Sequence, residues 1–366
     1  MDFAGLIGKF RTGRPLTQQE CEFHLKQKNR LDVIPHYHLS VIEMNSTYLE
    51  VVDKWYAERG TITGIMLTAI LMLATLFSGM LYMALTWDPD IPGGDEDVFI
   101  LVMIGVFSAP VLIAAGWALS KEMFAYTHYP IRFNRATRTV NVFRTDGTIL
   151  SIPWDAIFFT MAPVDQLYKF WNILGHVLDE ERLNIKESFA LSITSDGSQE
   201  GIDTMRSHWE FVRRYMEEGP SSINSQVQFC MPINQRRETL RVATNRMLAN
   251  STGGSTWSLP LRLFSFLFNS MVIPFRYIAM HTSKIPRWPS DVETTSQIDD
   301  NDPYAIMGSK GGDRVSLFPA AAEAANVRFT GPPSSLADGL GNPTNSPSMA
   351  TITAKPSTCR KQKKGQ

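Results

Sequence analysis

The sequence predicts an α+β protein: a transmembrane helical hairpin followed by a cytosolic antiparallel β domain closed by an amphipathic helix. Two uncharged apolar runs at 62–87 and 98–119 carry the first part. Each exceeds about 20 residues, enough at ~1.5 Å per helical residue to cross a hydrocarbon layer of roughly 30 Å. After them come about six short alternating segments with no helix between, the pattern of an antiparallel sheet or barrel. Then Ile202, Met205, Trp209, Val212 and Met216 recur at steps of three and four, the apolar stripe of a helix lying on that sheet.

Composition sets the outer limits. The 366 residues carry a net charge of −1, so no global field favours nucleic acid or an acidic ligand. Cys21, Cys230 and Cys359 are scattered and odd in number, which does not read as a disulfide framework and places the soluble parts in a reducing cytosol. Residues 1–14 are basic with a short apolar patch at 3–7, so no signal peptide is expected before the hairpin.

Residues 1–61 read as an N-terminal cytosolic segment: a helix over 17–28, extended chain at 34–39 and 41–44, and a second helix over 48–56 leading into the membrane. The hairpin occupies 62–119. Its ten-residue acidic turn, 88–97, contains Pro89, Pro92, Gly93 and Gly94 and joins two antiparallel helices. That turn lacks Lys and Arg, whereas Lys54 and Arg59 precede the first run and Lys121, Arg132, Arg135, Arg138 and Arg144 follow the second. Both termini are therefore expected inside. Trp55, Tyr56, Tyr82, Trp87, Trp117 and Tyr126 fall where an aromatic belt belongs. Gly105 and Ala109 would allow close helix approach, and Pro110 would bend the second span. Absence of charge inside either run argues against an ion or proton path. The competing reading is a pair of buried helices in a soluble core.

The β-rich domain is expected over 127–220. Strand-like chain at 129–135 and 139–144, the Asp146-Gly147 turn and a further strand at 148–152 make a meander. Pro153-Trp154-Asp155 interrupts it; extended runs follow at 156–161, 170–178 and 183–194. Gly219-Pro220 stops the helix. A curled antiparallel sheet with one amphipathic helix on its open end is the pleckstrin-homology-like architecture, an analogy of fold alone. Residues 221–289 read as a helical, partly membrane-interfacial segment, with a basic helix over 235–249. Within 257–281, Pro260, Arg262, Pro274 and Arg276 leave an uncharged core of only 263–275, too short to span. That core suits a helix in the interface or packed on the other spans, or a buried soluble one. From 290 to 366 the composition is that of a disordered tail with a basic end.

No catalytic constellation stands out. Phosphate-loop, dinucleotide, zinc-protease and nucleophile-elbow signatures are missing, and Gly308-Ser-Lys-Gly-Gly312 resembles a phosphate loop only in composition. No enzyme activity, cofactor or metal is expected; Cys21-x-x-His24 with His36-x-His38 lacks the spacing of a structural zinc site. His176 with Asp179 and Glu181 falls where a hairpin end needs polar residues anyway. Asn45-Ser-Thr47 matches a glycan acceptor but lies on the inside. The candidate contact site is the basic edge Arg132, Arg135, Arg138 and Arg144, placed close to the membrane, for lipid head groups or a partner. The alternative is that these arginines only enforce orientation.

Several strings are distinctive: Pro130-Ile-Arg-Phe-Asn-Arg135, Phe143-Arg144 with Asp146-Gly147, Pro153-Trp154-Asp155, Gly175-His-Val-Leu-Asp179, Trp209-Glu-Phe-Val-Arg-Arg-Tyr-Met-Glu-Glu-Gly-Pro220 and Pro286-Arg-Trp-Pro289. Over roughly residues 30–290 the chain resembles uncharacterised proteobacterial two-span inner-membrane proteins, often encoded near type VI secretion effector genes. The resemblance implies a bacterial inner-membrane location and a protein partner, an effector or secretion component, with an accessory or immunity role. It carries no site residue. The resulting expectation is a membrane-anchored protein-interaction module in contact with the lipid bilayer, with an anionic-lipid-binding module as the alternative and no nucleic-acid partner.

Overall fold

The computed structural model describes residues 5–86, 94–164, 170–181, 183–227, 230–244 and 259–307. Its organising feature is one sheet interrupted by a helical insertion. Strands β2 (Val41–Met44) and β3 (Tyr48–Val51) form a hairpin, and β3 then pairs antiparallel with β4 (Ile131–Asn134), Leu49 opposite Phe133. The chain between Val51 and Ile131 holds helices α2 (Thr61–Leu85) and α3 (Gly94–Glu122). Residues 1–61 are thus not a separate segment, because two strands of the sheet lie there. Tyr48-Leu-Glu-Val-Val52 is rich in β-favouring side chains, and its pairing with β4 overrides the expected helix over 48–56. Asn45-Ser-Thr47 is the hairpin turn, the Asn45 side-chain Oδ1 accepting from the Thr47 and Tyr48 amides at 2.9 and 2.8 Å.

The expected meander is present as β4, β5 (Thr139–Phe143) and β6 (Ile149–Pro153). A second antiparallel sheet follows, in the order β1-β7-β8-β9, from β1 (His24–Leu25), β7 (Ile157–Pro163), β8 (Trp171–Leu178) and β9 (Ile185–Ser195). The expected helix over 17–28 is only α1 (Gln18–Glu22), opened by a Thr17/Glu20 capping box. It ends there because His24 and Leu25 are taken into β7 pairing.

Helix α4 (Gln199–Glu218) closes the core, with Ile202, Met205, Trp209, Val212 and Met216 all buried as their spacing requires. Gly219 stops it at φ 91°, a region open to glycine. Trp209 stacks on Trp154 at 5.7 Å, with Phe159 at 4.7 Å. Each large side chain buried here contributes about 1.5–3 kcal/mol.

Helices α2 and α3 span 25 and 29 residues. Both are long and apolar enough to cross a membrane, and they are exposed along their length instead of buried in a core. Pro110 lies inside α3 without ending it, and a Cβ on Gly105 would stand 3.9 Å from the Phe77 ring, so the helices approach closely there. Tyr82 and Trp117 are exposed, while Trp55 and Tyr56 are core residues of the soluble part and do not join a belt. Trp87 and most of the acidic turn lie outside the described residues.

The third apolar region differs from expectation. It is one helix, α5 (Leu259–Thr282), and neither Pro274 nor Arg276 breaks it. Arg276 is fully buried and paired, so its charge does not interrupt the helix. Leu263, Phe264, Leu267 and Met271 are exposed on α5. A helix begins at residue 240, later than the expected 235; the remainder of that expected helix is outside the described residues. The expected disorder from 290 is not found over 290–307. Helix α6 (Ser290–Thr295) and strand β10 (Ile306–Met307), paired with β2, extend order to residue 307, held partly by Asp302 accepting from the Ser46 amide and hydroxyl. Residues 308–366, including the Gly308 loop, lie outside the described residues.

One glycine is critical to the join between α2 and α5. Gly60 has φ 93°, and a Cβ there would sit 2.5 Å from the Arg276 backbone. Gly60→Ala should lower the melting temperature of the detergent-purified chain, by the equivalent of about 2 kcal/mol or more. Gly79→Ala, which meets no atom within 4 Å, should leave it unchanged.

Candidate functional site

The four arginines of the expected basic edge do not form one surface. Arg132, on β4, is 2 % exposed and pairs with Glu50 across the strand, Nε donating to Oε2 at 2.8 Å and Nη2 lying 2.7 Å from the same oxygen. Its guanidinium lies between the rings of Tyr48 and Trp288, at 4.3 and 4.9 Å, and Glu293 stands 3.6 Å away. Trp288 also donates its indole N–H to Glu50 at 3.0 Å. Pro130-Ile-Arg-Phe-Asn-Arg135 and Pro286-Arg-Trp-Pro289 therefore meet at one buried ion pair. Burial disfavours the Arg132 charge, but Glu50 and Tyr48 more than offset this and its pKa is raised.

Glu43 continues the row, opposite Glu50 on β2. Burial, with Glu50 and Glu293 nearby, pushes its carboxyl up to about 7, against Tyr48 and Arg132. Three carboxylates share one guanidinium, and the least compensated of them keeps its proton most readily.

Arg135 and Arg138 occupy the β4–β5 turn. This turn lies at the end of β4 away from the helix bases. β4 starts beside the helix bases and carries the turn away by four residues, roughly 13 Å at 3.3 Å each. Arg138 is bound there by Asp155 and Glu217, both at 2.7 Å, and Glu217 also accepts from the Trp154 indole at 2.7 Å. Pro153-Trp154-Asp155 and the end of α4 are thus tied together. Arg135 is exposed. Arg144 alone lies toward the helix bases, because the β5–β6 turn returns to Tyr126; it pairs with Glu187.

A second buried network ties the bases of α2, α3 and α5 together and, through the Tyr56 carbonyl, to a residue of the core between the sheets. Glu122, at the end of α3, accepts from the Gly60 amide at 2.7 Å and from the Thr63 amide and hydroxyl at 2.6 and 2.7 Å, where α2 begins. Arg59 donates to the carbonyls of Glu122 and Tyr126. Arg276 of α5 binds Glu238, Nε to Oε2 at 3.0 Å, and donates to the Tyr56 carbonyl at 2.8 Å. Spacing alone gives no sign of this network, since its members are scattered over 220 residues of sequence. The one signal is an arginine inside an otherwise apolar run.

His176 does not join Asp179 and Glu181. Its Nδ1 lies 2.7 Å from Ser188 Oγ and its Nε2 3.4 Å from Glu20, which is itself held by Arg14 at 2.6 Å. Burial works against the Glu20 charge, yet Arg14, His176 and Thr17 hold its pKa well below the usual range. Asp179 accepts from the Leu183 and Asn184 amides in its own turn, and Glu181 is exposed. Arg14, Glu20, His176 and Ser188 line a cavity of about 220 Å³ with Lys9, Phe10 and Arg11. His24 stacks on Phe158 at 4.0 Å, and burial lowers its pKa to about 4. The His36 and His38 rings meet edge to face at 4.3 Å. Among the described residues no group of three His, Cys, Asp or Glu side chains is arranged to hold a metal.

Fold and site together define an α+β protein of two antiparallel sheets, mounted by buried charge on helices long and apolar enough to cross a membrane. The chain belongs to the family described as a family of unknown function (DUF6708), whose family model matches residues 109–300. That match starts within α3 and ends beyond α6, so β2 and β3, which complete its sheet, lie outside it. No curated protein matches the chain, and no solved structure does.

Two predictions follow from these networks. Removing Arg276 (Arg276→Ala) should destabilise by about 3–5 kcal/mol, because Glu238 stays buried without its partner, while Arg276→Met combined with Glu238→Leu should cost less than either single change; denaturant titration in detergent measures the cycle. Because Glu43 titrates near 7 in the fold and near 4.3 unfolded, the folded state binds the extra proton. Its stabilising effect is complete below about pH 4 and is lost as pH rises through 7. Glu43→Gln should remove that loss, raising stability at pH 8 relative to the parent chain in pH-dependent melting curves.

Proposed function

We propose that this chain is a two-span bacterial inner-membrane protein whose two sheets, which share one core and form a sandwich with α4, face the cytosol with the termini and present a fixed binding surface to a protein partner. The observation that carries this reading is the network of Arg59, Glu122, Arg276 and Glu238, which bolts the sandwich to the helix bases with no flexible linker. A surface held at one height and angle suits a docking platform better than a tethered domain that must search.

Topology supports the membrane placement. β3 and β4 are neighbours in one sheet, so chain that leaves after Val51 must return to the same side before Ile131. Two crossings by α2 and α3 satisfy this. The arrangement of basic residues favours the cytosol for the sandwich, since the acidic turn has neither Lys nor Arg. Two packed antiparallel sheets and a closing helix support a pleckstrin-homology-like reading of the sandwich. In it, the spans are inserted between two strands of the first sheet.

The partner class comes from the resemblance alone: an effector or secretion component of a type VI system, toward which the chain acts as an accessory or immunity factor. A ten-residue turn offers little surface on the far side, which favours a cytosolic partner. The exposed end of the sandwich away from the helices, around Lys28 and Arg135, is the face left for it. A lipid-binding alternative loses Arg132 to burial and Arg138 to its carboxylates.

Photo-crosslinking residues placed at Lys28 and at Arg135 of the full-length chain in its native membrane should each give the same discrete protein adduct. Adducts from neither position, or a periplasmic phosphatase active when fused after Tyr126, would sink the reading.

A further inference from the structure

We propose that the N-terminal arm, residues 5–14, and the cavity beneath it bind the phosphate of an anionic phospholipid from the leaflet facing the sandwich. The inference goes beyond the protein-partner reading and shares with it only the membrane placement.

Position is the first support. Leu6 is buried in one cluster with Trp55, Tyr129, Phe143 and Ile62, the second residue of α2, with Met66 and Ala118 packed against them. The arm is thus pinned under the bases of both apolar helices. Lys9 follows three residues later, at most about 10 Å of extended chain from that anchor. Head groups occupy several ångströms outside the hydrocarbon layer, so a lysine side chain at Lys9 is within their reach. Ile7, between anchor and charge, is exposed.

Charge is the second. Lys9 and Arg11 are exposed and form no ion pair among the described residues, while most carboxylates near the helix bases are occupied, and Glu58, part-buried there, is pushed toward its neutral form by burial. Glu122 is buried among donors, Glu238 is paired with Arg276, Glu187 is paired with Arg144, and Asp53 accepts from the Trp55 and Tyr129 amides. Within the cavity the opposing charge is Glu20, and it is committed to Arg14 through two hydrogen bonds of 2.6 and 2.8 Å. What remains open toward a ligand is cationic.

Shape is the third. The arm joins the sheet beyond the cavity, the Gly13 amide donating to the Ile185 carbonyl and the Ile185 amide to the Arg14 carbonyl, both at 2.8 Å. Between that point and Leu6 it bridges over β8 and β9 and leaves about 220 Å³ above His176, Ser188 and Leu174. That volume is below the roughly 300 Å³ at which pockets for drug-sized ligands begin. It suits a head group whose acyl chains stay in the bilayer. The Ser188 hydroxyl offers a polar contact on the floor.

The test uses the full-length chain in nanodiscs of phosphatidylcholine, with or without phosphatidylglycerol, followed by native mass spectrometry of lipid retained on the released protein. Phosphatidylglycerol should be retained over phosphatidylcholine. The double variant Lys9→Glu, Arg11→Glu should lower that retention at least about tenfold, with Lys9→Gln, Arg11→Gln intermediate and Arg135→Glu unchanged. Melting temperatures of the Gln pair, which removes charge without reversing it, establish that loss of lipid is not loss of fold. Equal retention of the two lipids, or full retention by both double variants, overturns the proposal. Displacement of the lipid by inorganic phosphate at equal concentration also overturns it, by reassigning the site to a free anion.

Discussion

The structure depends on a set of charges buried where three helices meet two sheets. Arg276 would be expelled from an apolar helix were Glu238 and the Tyr56 carbonyl not placed to receive it. Desolvating an ion costs several kcal/mol, and only good geometry with further hydrogen bonds returns that cost. Here the partners come from three separate parts of the chain: the turn before α2, the stretch before residue 240, and α5. The pair therefore adds little net stability over an apolar filling. Its effect is on arrangement, since any other packing of these helices would leave a bare charge inside.

The same logic recurs in the sheet. Arg132 sits among Glu50, Glu293 and Glu43, with Trp288 and Tyr48 as its walls. Such a cluster fixes the register of β2, β3 and β4, because a slip of one residue would turn the guanidinium to the opposite face. It also recruits the chain after α5 back to the sheet through Trp288. Buried ionic contacts thus do, in the sheet and at the helix bases, what a linker could not: they hold segments distant in sequence at fixed positions.

Local patterns made much of this visible in advance. The two apolar runs, the meander from β4 to β6, strands β7 to β9 and the stripe of α4 all follow from periodicity and turn residues within windows of about 20 residues. What escaped depends on partners far away in the chain. Tyr48 to Val51 became a strand because β4 supplies its edge some 80 residues later. The arginines of the β4 region read as an exposed basic edge because strand alternation says which face a side chain takes, but not what covers that face. Arg276 looked like a helix breaker for the same reason: its carboxylate lies 38 residues away. The cavity under the N-terminal arm left no mark at all, since Lys9, Glu20, His176 and Ser188 share no spacing.

Sheet topology also limits α5 in a way that hydropathy alone does not. Ile306 pairs with Met44, so the chain from α4 to β10 begins and ends on the sandwich side, as the chain from β3 to β4 does. If α2 and α3 cross a membrane as proposed, an odd number of crossings in that interval is impossible. Were α5 to cross, a second apolar segment would have to return, and 219–258 contains Arg236, Arg237, Glu238 and Arg241 with no uncharged apolar run to serve. On that proposal α5 packs beside α2 without completing a crossing. Arg276 sits at its sandwich end, where a buried cation can find a carboxylate. The exposed Leu263, Phe264, Leu267 and Met271 lie farther along the helix, away from that pair. The buried ion pair and the exposed apolar side chains thus occupy different parts of one helix.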